Sequence, residues 1–326
     1  RPKTSMSPKV QDSILKLFQR KLQNKRLSVV NVGFFGGEPM LEFDRVVVPL
    51  VEGIEKMCEE HGKKLTISFV TNGSLLTSSR IEWLSKIKVA SPIIFQIAID
   101  GNKSFHNLTK KTSFLKDSYT DAIRTIKSLV AKNMPVTVRL NTTARNIESY
   151  RDVLADFKDL PSEKKSLLHF DVQRVWQDSV DSPSKFRERQ QRLRESLLEE
   201  SFFVSPEENP SRCYAERENH VVVNFNGDLF KCTARDFVGE NREGVLTKDG
   251  EIIWNDRHEE RRLVVYGNEA CRQCRIFPLC QGHCSQQKLE KPWGSKGCLY
   301  GYTEKTKIKR IERRVNSLLN SLIINK

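Results

Sequence analysis

The chain has 326 residues, 38% of them hydrophobic and 29% charged, a balance that excludes the disordered class and allows one large domain with a smaller one attached. No apolar run reaches the length of a membrane span, and no basic start leads into an apolar stretch, so a cytoplasmic protein that neither spans membranes nor is secreted is expected. The formal charge of +14 raises nucleic acid, anionic membranes or acidic peptides as partners, although thiolates bound to metal would offset part of it.

Up to about residue 180, helical periodicity alternates with short apolar runs, the mark of repeated βα units and a parallel sheet. In chain order the pattern predicts a helix over Pro8 to Asn24, a strand over Val29 to Phe35, a helix over Phe43 to Gly62 and a strand over Leu65 to Thr71. There follow a helix over Ser78 to Lys88, a strand over Ile93 to Asp100, a helix over Tyr119 to Asn133 and a strand over Val136 to Asn141. A helix over Ile147 to Lys158 and a strand over Leu168 to Val175 complete the series. Ser184 to Ser201 reads as a charged helix and Pro206 to Pro210 as a linker, with cysteines crowding the chain beyond it. A last helix follows Cys298. Its run of Lys305, Lys307, Lys309, Arg310, Arg313 and Arg314 has no aromatic interleaving and reads as a solvated face, so neither nucleic acid nor a membrane is expected as a partner.

In parallel barrels ligands gather at the carboxyl ends of strands, and all five predicted strands end in polar clusters. These are Gly36-Gly37-Glu38-Pro39, Thr71-Asn72-Gly73, Gln96 through Asp100-Gly101, Arg139-Leu140-Asn141-Thr142 and Gln173-Arg174-Val175-Trp176-Gln177. Glycines where a strand meets its loop let backbone groups approach a small polar ligand, although a tight turn fixed by Pro39 explains that tetrapeptide equally well. Arg139, inside a strand otherwise made for burial, needs an anionic partner, which a ligand carboxylate or Glu38 would supply.

Seven of the eight cysteines lie late in the chain, at Cys213, Cys232, Cys271, Cys274, Cys280, Cys284 and Cys298. The odd count and the βα half argue against a disulfide framework. Zinc on four cysteines is an open alternative, but the tight run Cys271-x2-Cys274-x5-Cys280-x3-Cys284 suits thiolates wrapped round a bulkier iron–sulfur group. Cys58, alone in a helical pattern, reads as a buried, inert thiol.

The stretch Phe34-Phe35-Gly36-Gly37-Glu38-Pro39-Met40-Leu41 resembles the segment by which radical S-adenosylmethionine (SAM) enzymes bind the methionine amino group of their cofactor. The order and spacing of the cysteines between 213 and 298 resemble a seven-cysteine SPASM domain. The resemblance implies an α/β fold, a partial (β/α)6 TIM-like barrel over 1–183, then a helical linker over 184–210, a SPASM domain over 211–302 and a terminal helix over 303–326. It implies S-adenosylmethionine held by Gly36, Gly37, Glu38, Pro39, Asn72, Gln96, Arg139 and Asn141, with the last three residues of that set facing its carboxylate and ribose. It also implies two auxiliary 4Fe-4S clusters, one on Cys271, Cys274, Cys280 and Cys298, the other on Cys213, Cys232 and Cys284. The second is one ligand short, because Asn219 and His220 stand where some relatives carry a cysteine.

The family's own C-x3-C-x2-C motif, which holds the catalytic 4Fe-4S cluster, does not occur in these residues. That segment and the first barrel strand are expected upstream of Arg1, the alternative being a relic unable to cleave SAM. The implied chemistry is generation of a 5′-deoxyadenosyl radical that removes hydrogen from a residue of a ribosomally made peptide. A thioether or carbon–carbon crosslink is the expected product. Electrons would come from a flavodoxin or ferredoxin, and the substrate partner would be a peptide or protein. Two other readings stay open, an anaerobic sulfatase-maturating enzyme and a non-catalytic, metal-bearing peptide binder. Thr233 weighs against the former, since those enzymes carry a proposed general-base Asp directly after the cysteine equivalent to Cys232. Asp236 is a possible substitute, unless it is simply paired with Arg235 or Lys231.

Overall fold

A computed structural model describes residues 4–110, 117–175, 177–205, 213–282, 284–290, 297–298 and 300–324. Trp176 and the linker expected over Pro206 to Pro210 lie outside the described residues. The chain divides into two compact units, one of Phe18–Glu207 and one of Arg1–Leu17 with Glu208–Lys326.

The larger unit contains β1 (Val29–Phe34), α2 (Val48–Glu60), β2 (Lys64–Thr71), α3 (Ser78–Leu84), β3 (Ile94–Ile99), α4 (Lys103–Thr109) and α5 (Ser118–Ala131). It continues with β4 (Val136–Thr142), α6 (Tyr150–Ala155), α7 (Ser162–Lys165), β5 (Leu168–Arg174), α8 (Pro183–Glu199) and β6 (Phe203–Val204), while α1 (Pro8–Leu22) begins in the smaller unit. The six strands are parallel and adjacent in their order along the chain. Sequential order with right-handed crossovers puts every connecting helix on one face, the winding of a barrel wall rather than of a doubly wound sheet. Alternation decides the faces. Val136, Val138, Leu140 and Thr142 of β4 are buried, and Thr137, Arg139 and Asn141 between them are half-buried. On the buried face Phe34, Phe69 and Phe95, in register on β1, β2 and β3, stack with centroids 4.9 and 5.4 Å apart, each pair adding about 1 kcal/mol beyond burial.

Local signals set the helix starts. Thr77, Asn102 and Asp117 each cap a helix, accepting from the amides of Arg80, Phe105 and Thr120. The long helix expected from Phe43 opens instead with a π turn over Phe43–Val47 before α2 begins. A wider turn there leaves Pro49 at the start of the α-helical part, where its missing N–H costs nothing.

The smaller unit holds a four-stranded antiparallel sheet of β7 (Val222–Val223), β8 (Asp228–Phe230), β9 (Gly244–Leu246) and β10 (Ile252–Trp254), in the order β10-β9-β8-β7. Short helices α9 (Asp256–Tyr266), α10 (Glu269–Arg272), α11 (Phe277–Cys280) and α12 (Ser285–Leu289) follow, then α13 (Glu304–Ile324). The start of α1 belongs here because the Gly250 turn seats against it. A Cβ at Gly250, whose φ is +76°, would stand 2.5 Å from the Leu17 amide nitrogen.

Candidate functional site

The carboxyl edge of the parallel sheet is stitched together by side chains from consecutive strand ends. The Glu38 carboxylate, just past β1, accepts from the Met40 amide at 3.1 Å, from Thr71 Oγ1 at 2.6 Å and from the Asn72 amide at 2.8 Å. It is therefore a clamp between the first loop and the end of β2. Gly36 beside it faces open space, for a Cβ built there meets nothing within 4 Å.

Farther along the same edge, Arg139 donates through Nε to Asn141 Oδ1 at 3.1 Å, and Asn141 donates to Asp100 Oδ1 at 2.8 Å. Asp100 is buried, and its Oδ2 meets Lys110 Nζ at 3.3 Å. The Arg139 Nη nitrogens make no hydrogen bond among the described residues, and Gln96, on the same half-buried face, makes none either. Asn146 ties this cluster to the backbone, donating to the Asp100 and Asn141 carbonyls at 3.0 and 2.9 Å. The edge thus offers backbone polar groups at an open glycine turn and guanidinium donors that no described residue engages.

His106 supports the edge from beneath. Its Nδ1 accepts from the Asp100 amide at 3.2 Å, so the neutral ring carries its proton on Nε2. Burial pulls its pKa down to about 4, against the opposing pull of the Asp100 charge. Between pH 6.5 and about 4 the unfolded chain binds a proton that the folded ring refuses. Stability is therefore full above that window and falls as pH drops through it, by about 2–3 kcal/mol. Urea unfolding at pH 7 and pH 4.5 checks this, and His106→Gln should flatten the difference.

In the smaller unit Cys271, Cys274, Cys280 and Cys298 line one cavity of about 260 Å³, with Ala270, Ile276, Phe277, Tyr302 and Lys307 completing its wall. Asn268 caps α10 through the Cys271 amide, and Gln281, left-handed at φ +52°, turns the chain straight after Cys280. Burial pushes up the Cys271 and Cys280 thiols, and Cys298 adds to both. Cys213, Cys232 and Cys284 form a separate set. Burial raises the first two, and Cys284 raises them further, so the three thiols stand within electrostatic reach of one another.

Buried polar residues build that second set. Lys231 donates to the Arg217 and His220 carbonyls at 2.7 and 2.6 Å, closing the loop between Cys213 and Cys232. Tyr214 Oη and Thr233 Oγ1, one residue beyond each of those cysteines, lie 2.5 Å apart. Arg261 makes a two-pronged pair with Glu243, both contacts 2.8 Å, and also donates to Ser285 Oγ at 2.8 Å, directly after Cys284. None of the eight cysteines is in a disulfide. Among the described residues no three His, Cys, Asp or Glu side chains stand close enough to share a single metal ion. A tetrahedral zinc would need its sulfurs within about 4 Å of one another, whereas the four-cysteine cavity has room for a larger inorganic group.

Comparison with known proteins bears on the parallel-sheet unit first, since residues 5–160 match the family model of the Radical SAM superfamily. The chain carries a radical SAM domain. It is 22% identical over 315 residues to the cysteine-type anaerobic sulfatase-maturating enzyme of Clostridium perfringens, covering 86% of this chain and 81% of that one. Among solved structures, anSMEcpe with bound AdoMet and Kp18Cys peptide aligns with a TM-score of 0.65 at 20% identity, over 98% of this chain and 91% of the other. Streptococcus suis SuiB bound to S-adenosylmethionine aligns at 0.59 and 17% identity, over 92% and 72%. These likenesses show the fold, a radical SAM core followed by a cysteine-rich unit. Among the described residues no helix is long and apolar enough to cross a membrane.

The structure corrects several expectations about the radical SAM domain and its companion and bears out that for Cys58. Arg139 pairs with Asn141 and not with Glu38, whose oxygens are taken by Thr71, Asn72 and Met40. Asp236 is exposed and pairs with neither expected cation, because Arg235 grips Glu290 at 2.6 and 2.8 Å and Lys231 is turned to backbone carbonyls. Cys58 is buried and its thiol is pushed up by that burial, as an inert core residue should be. The terminal basic run is not one solvated face, since Lys307 lines the cysteine cavity. Glu243 and Arg261 escaped attention altogether, since nothing in a stretch so rich in charge distinguishes the pair that folds inward.

Proposed function

We propose that this radical SAM maturase acts on a peptide, with the cofactor at the carboxyl edge of the parallel sheet and iron–sulfur clusters on the seven late cysteines. The observation that carries the reading is the division of those cysteines into a set of four around one cavity and a set of three elsewhere, in the same chain as the radical SAM domain. Gly36 and Gly37 would bring backbone groups to the methionine amino group, with Pro39 and Asn72 shaping the turn and Glu38 holding it rigid. Arg139 would take the cofactor carboxylate on its Nη nitrogens, leaving Gln96 and Asn141 for the ribose. Cys271, Cys274, Cys280 and Cys298 would hold one 4Fe-4S cluster, and Cys213, Cys232 and Cys284 the other, its fourth iron open. When bound, SAM and its partner cluster supply hydrogen abstraction from an unactivated carbon, and auxiliary clusters supply electron acceptors. This chain's part is to fix the cofactor's orientation and to hold the electron acceptors in a protein matrix.

The expected reaction is a net oxidation that removes two hydrogens from the peptide in forming a thioether or carbon–carbon bond, with flavodoxin or ferredoxin as electron donor. Formylglycine formation, the reaction of the sulfatase-maturating relatives, is the second reading. It is disfavoured because Thr233 stands directly after Cys232 with its hydroxyl against Tyr214, and Asp236 lies exposed.

Valine at Gly36 tests the cofactor site. The added side chain starts in open space, so stability should change by less than about 0.5 kcal/mol, while SAM binding by the complete gene product should weaken at least about tenfold. Calorimetric titration with SAM reads the affinity. Unchanged binding would place the cofactor elsewhere. Mass spectrometry of a peptide encoded beside the gene, after anaerobic incubation, separates the reactions by loss of two hydrogens or by conversion of a cysteine to formylglycine.

A further inference from the structure

The wall of the four-cysteine cavity contains a cation. Lys307, from the first turn of α13, lines it beside Cys271, Cys274, Cys280 and Cys298, with only 18% of its side chain exposed. Its stem covers the cavity wall while the ammonium, paired outward with Glu304, stays within electrostatic reach of the Cys274 thiol. Glu304, one turn earlier, holds the Lys307 Nζ at 2.6 Å through Oε1. Its Oε2 takes Arg275, the residue after Cys274, at 2.8 Å. This outer pair is more exposed, Glu304 at 64% and Arg275 at 53%. The charge next to the cavity is thus fixed in place from outside by a carboxylate that water screens more strongly.

We propose that Lys307 raises the reduction potential of the iron–sulfur group held by these four cysteines, and that Glu304 moderates the effect. The inference rests on the reading of this cavity as a cluster site. Four thiolates make a ligated cluster anionic, and reduction adds one more negative charge. A fixed cation in the wall stabilises the reduced form more than the oxidised one, which moves the potential upward. The same field favours uptake of the electron left over when a peptide radical closes to product, so Lys307 is a positioning residue for charge and touches no reacting carbon.

The test is a potentiometric titration, followed by electron paramagnetic resonance, of the anaerobically reconstituted complete gene product. The signal of interest is the one that disappears in Cys280→Ala. Lys307→Met should shift its midpoint to more negative potential, Lys307→Arg should stay near the parent, and Glu304→Gln should shift it to more positive potential. A purely structural role for Lys307 would not give shifts of opposite sign. Should Lys307→Met fail to load iron, Glu304→Gln carries the test alone. Midpoints that do not move in the loaded variants, or that move the other way, overturn the inference while leaving the cluster site intact. Full iron retention in Cys280→Ala and Cys271→Ala overturns the cluster site, and the inference with it.

Discussion

Alanine at Cys271 or Cys280 should strip about four irons and their sulfides from the protein, leaving the remaining iron in place. Alanine at Cys284 should do the reverse, removing the other complement. The expectation follows from the separation of the seven thiols, since Cys271, Cys274, Cys280 and Cys298 share a cavity while Cys213, Cys232 and Cys284 act on one another. A cluster bound by four thiolates does not tolerate loss of one of them at a site where, among the described residues, no spare carboxylate or imidazole lines the wall. Stability should fall too. The strands of this unit are two or three residues long, so its order depends heavily on whatever the thiols grip. Iron, sulfide and zinc analysis of the variants checks the partition, and one zinc lost per variant with no sulfide would contradict it.

Replacing Glu243 by glutamine should destabilise the smaller unit by about 3–5 kcal/mol, because it leaves the Arg261 charge buried without its counter-charge. Only 1% and 3% of the two side chains is exposed, so water cannot take over the role of the missing carboxylate. The pair does more than hold the core. Arg261 also reaches Ser285 Oγ at 2.8 Å and Gln286 Oε1 at 2.5 Å, and Glu216 accepts from the Ser285 amide at 3.1 Å, which fixes the residues just after Cys284. Loss of Glu243 should therefore also loosen the three-cysteine set. Chemical denaturation reads the stability. The double variant Glu243→Gln/Arg261→Met should recover part of the loss, since it also removes the buried charge that needs a counter-charge.

Much of the larger unit was legible because its strands alternate cleanly. In β4 the residues from Val136 to Thr142 announce a buried face and a polar one, and the polar face carries Arg139 and Asn141. What periodicity missed is short. β6 has two residues, α4 is under two turns and is set by the Asn102 cap, and the antiparallel strands are two or three residues long, so none offers a period to detect. The crowding of cysteines late in the chain was legible from the sequence, while their division into four and three was only what the family resemblance implied. Their surroundings were not legible, because whether a charge such as Lys307 or Arg261 turns inward depends on partners, Glu304 and Glu243, that only the folded chain selects. The same limit explains Arg139, whose need for a partner was clear but whose choice of Asn141 over Glu38 follows from Glu38 being held by Thr71 and Asn72.

The most direct measurement is the metal and acid-labile sulfide content of this 326-residue chain, purified and reconstituted without oxygen. About eight irons with matching sulfide, and a brown protein, is the result expected of two auxiliary clusters. One or two zinc ions with no sulfide would contradict it and leave the late cysteines no part in radical chemistry.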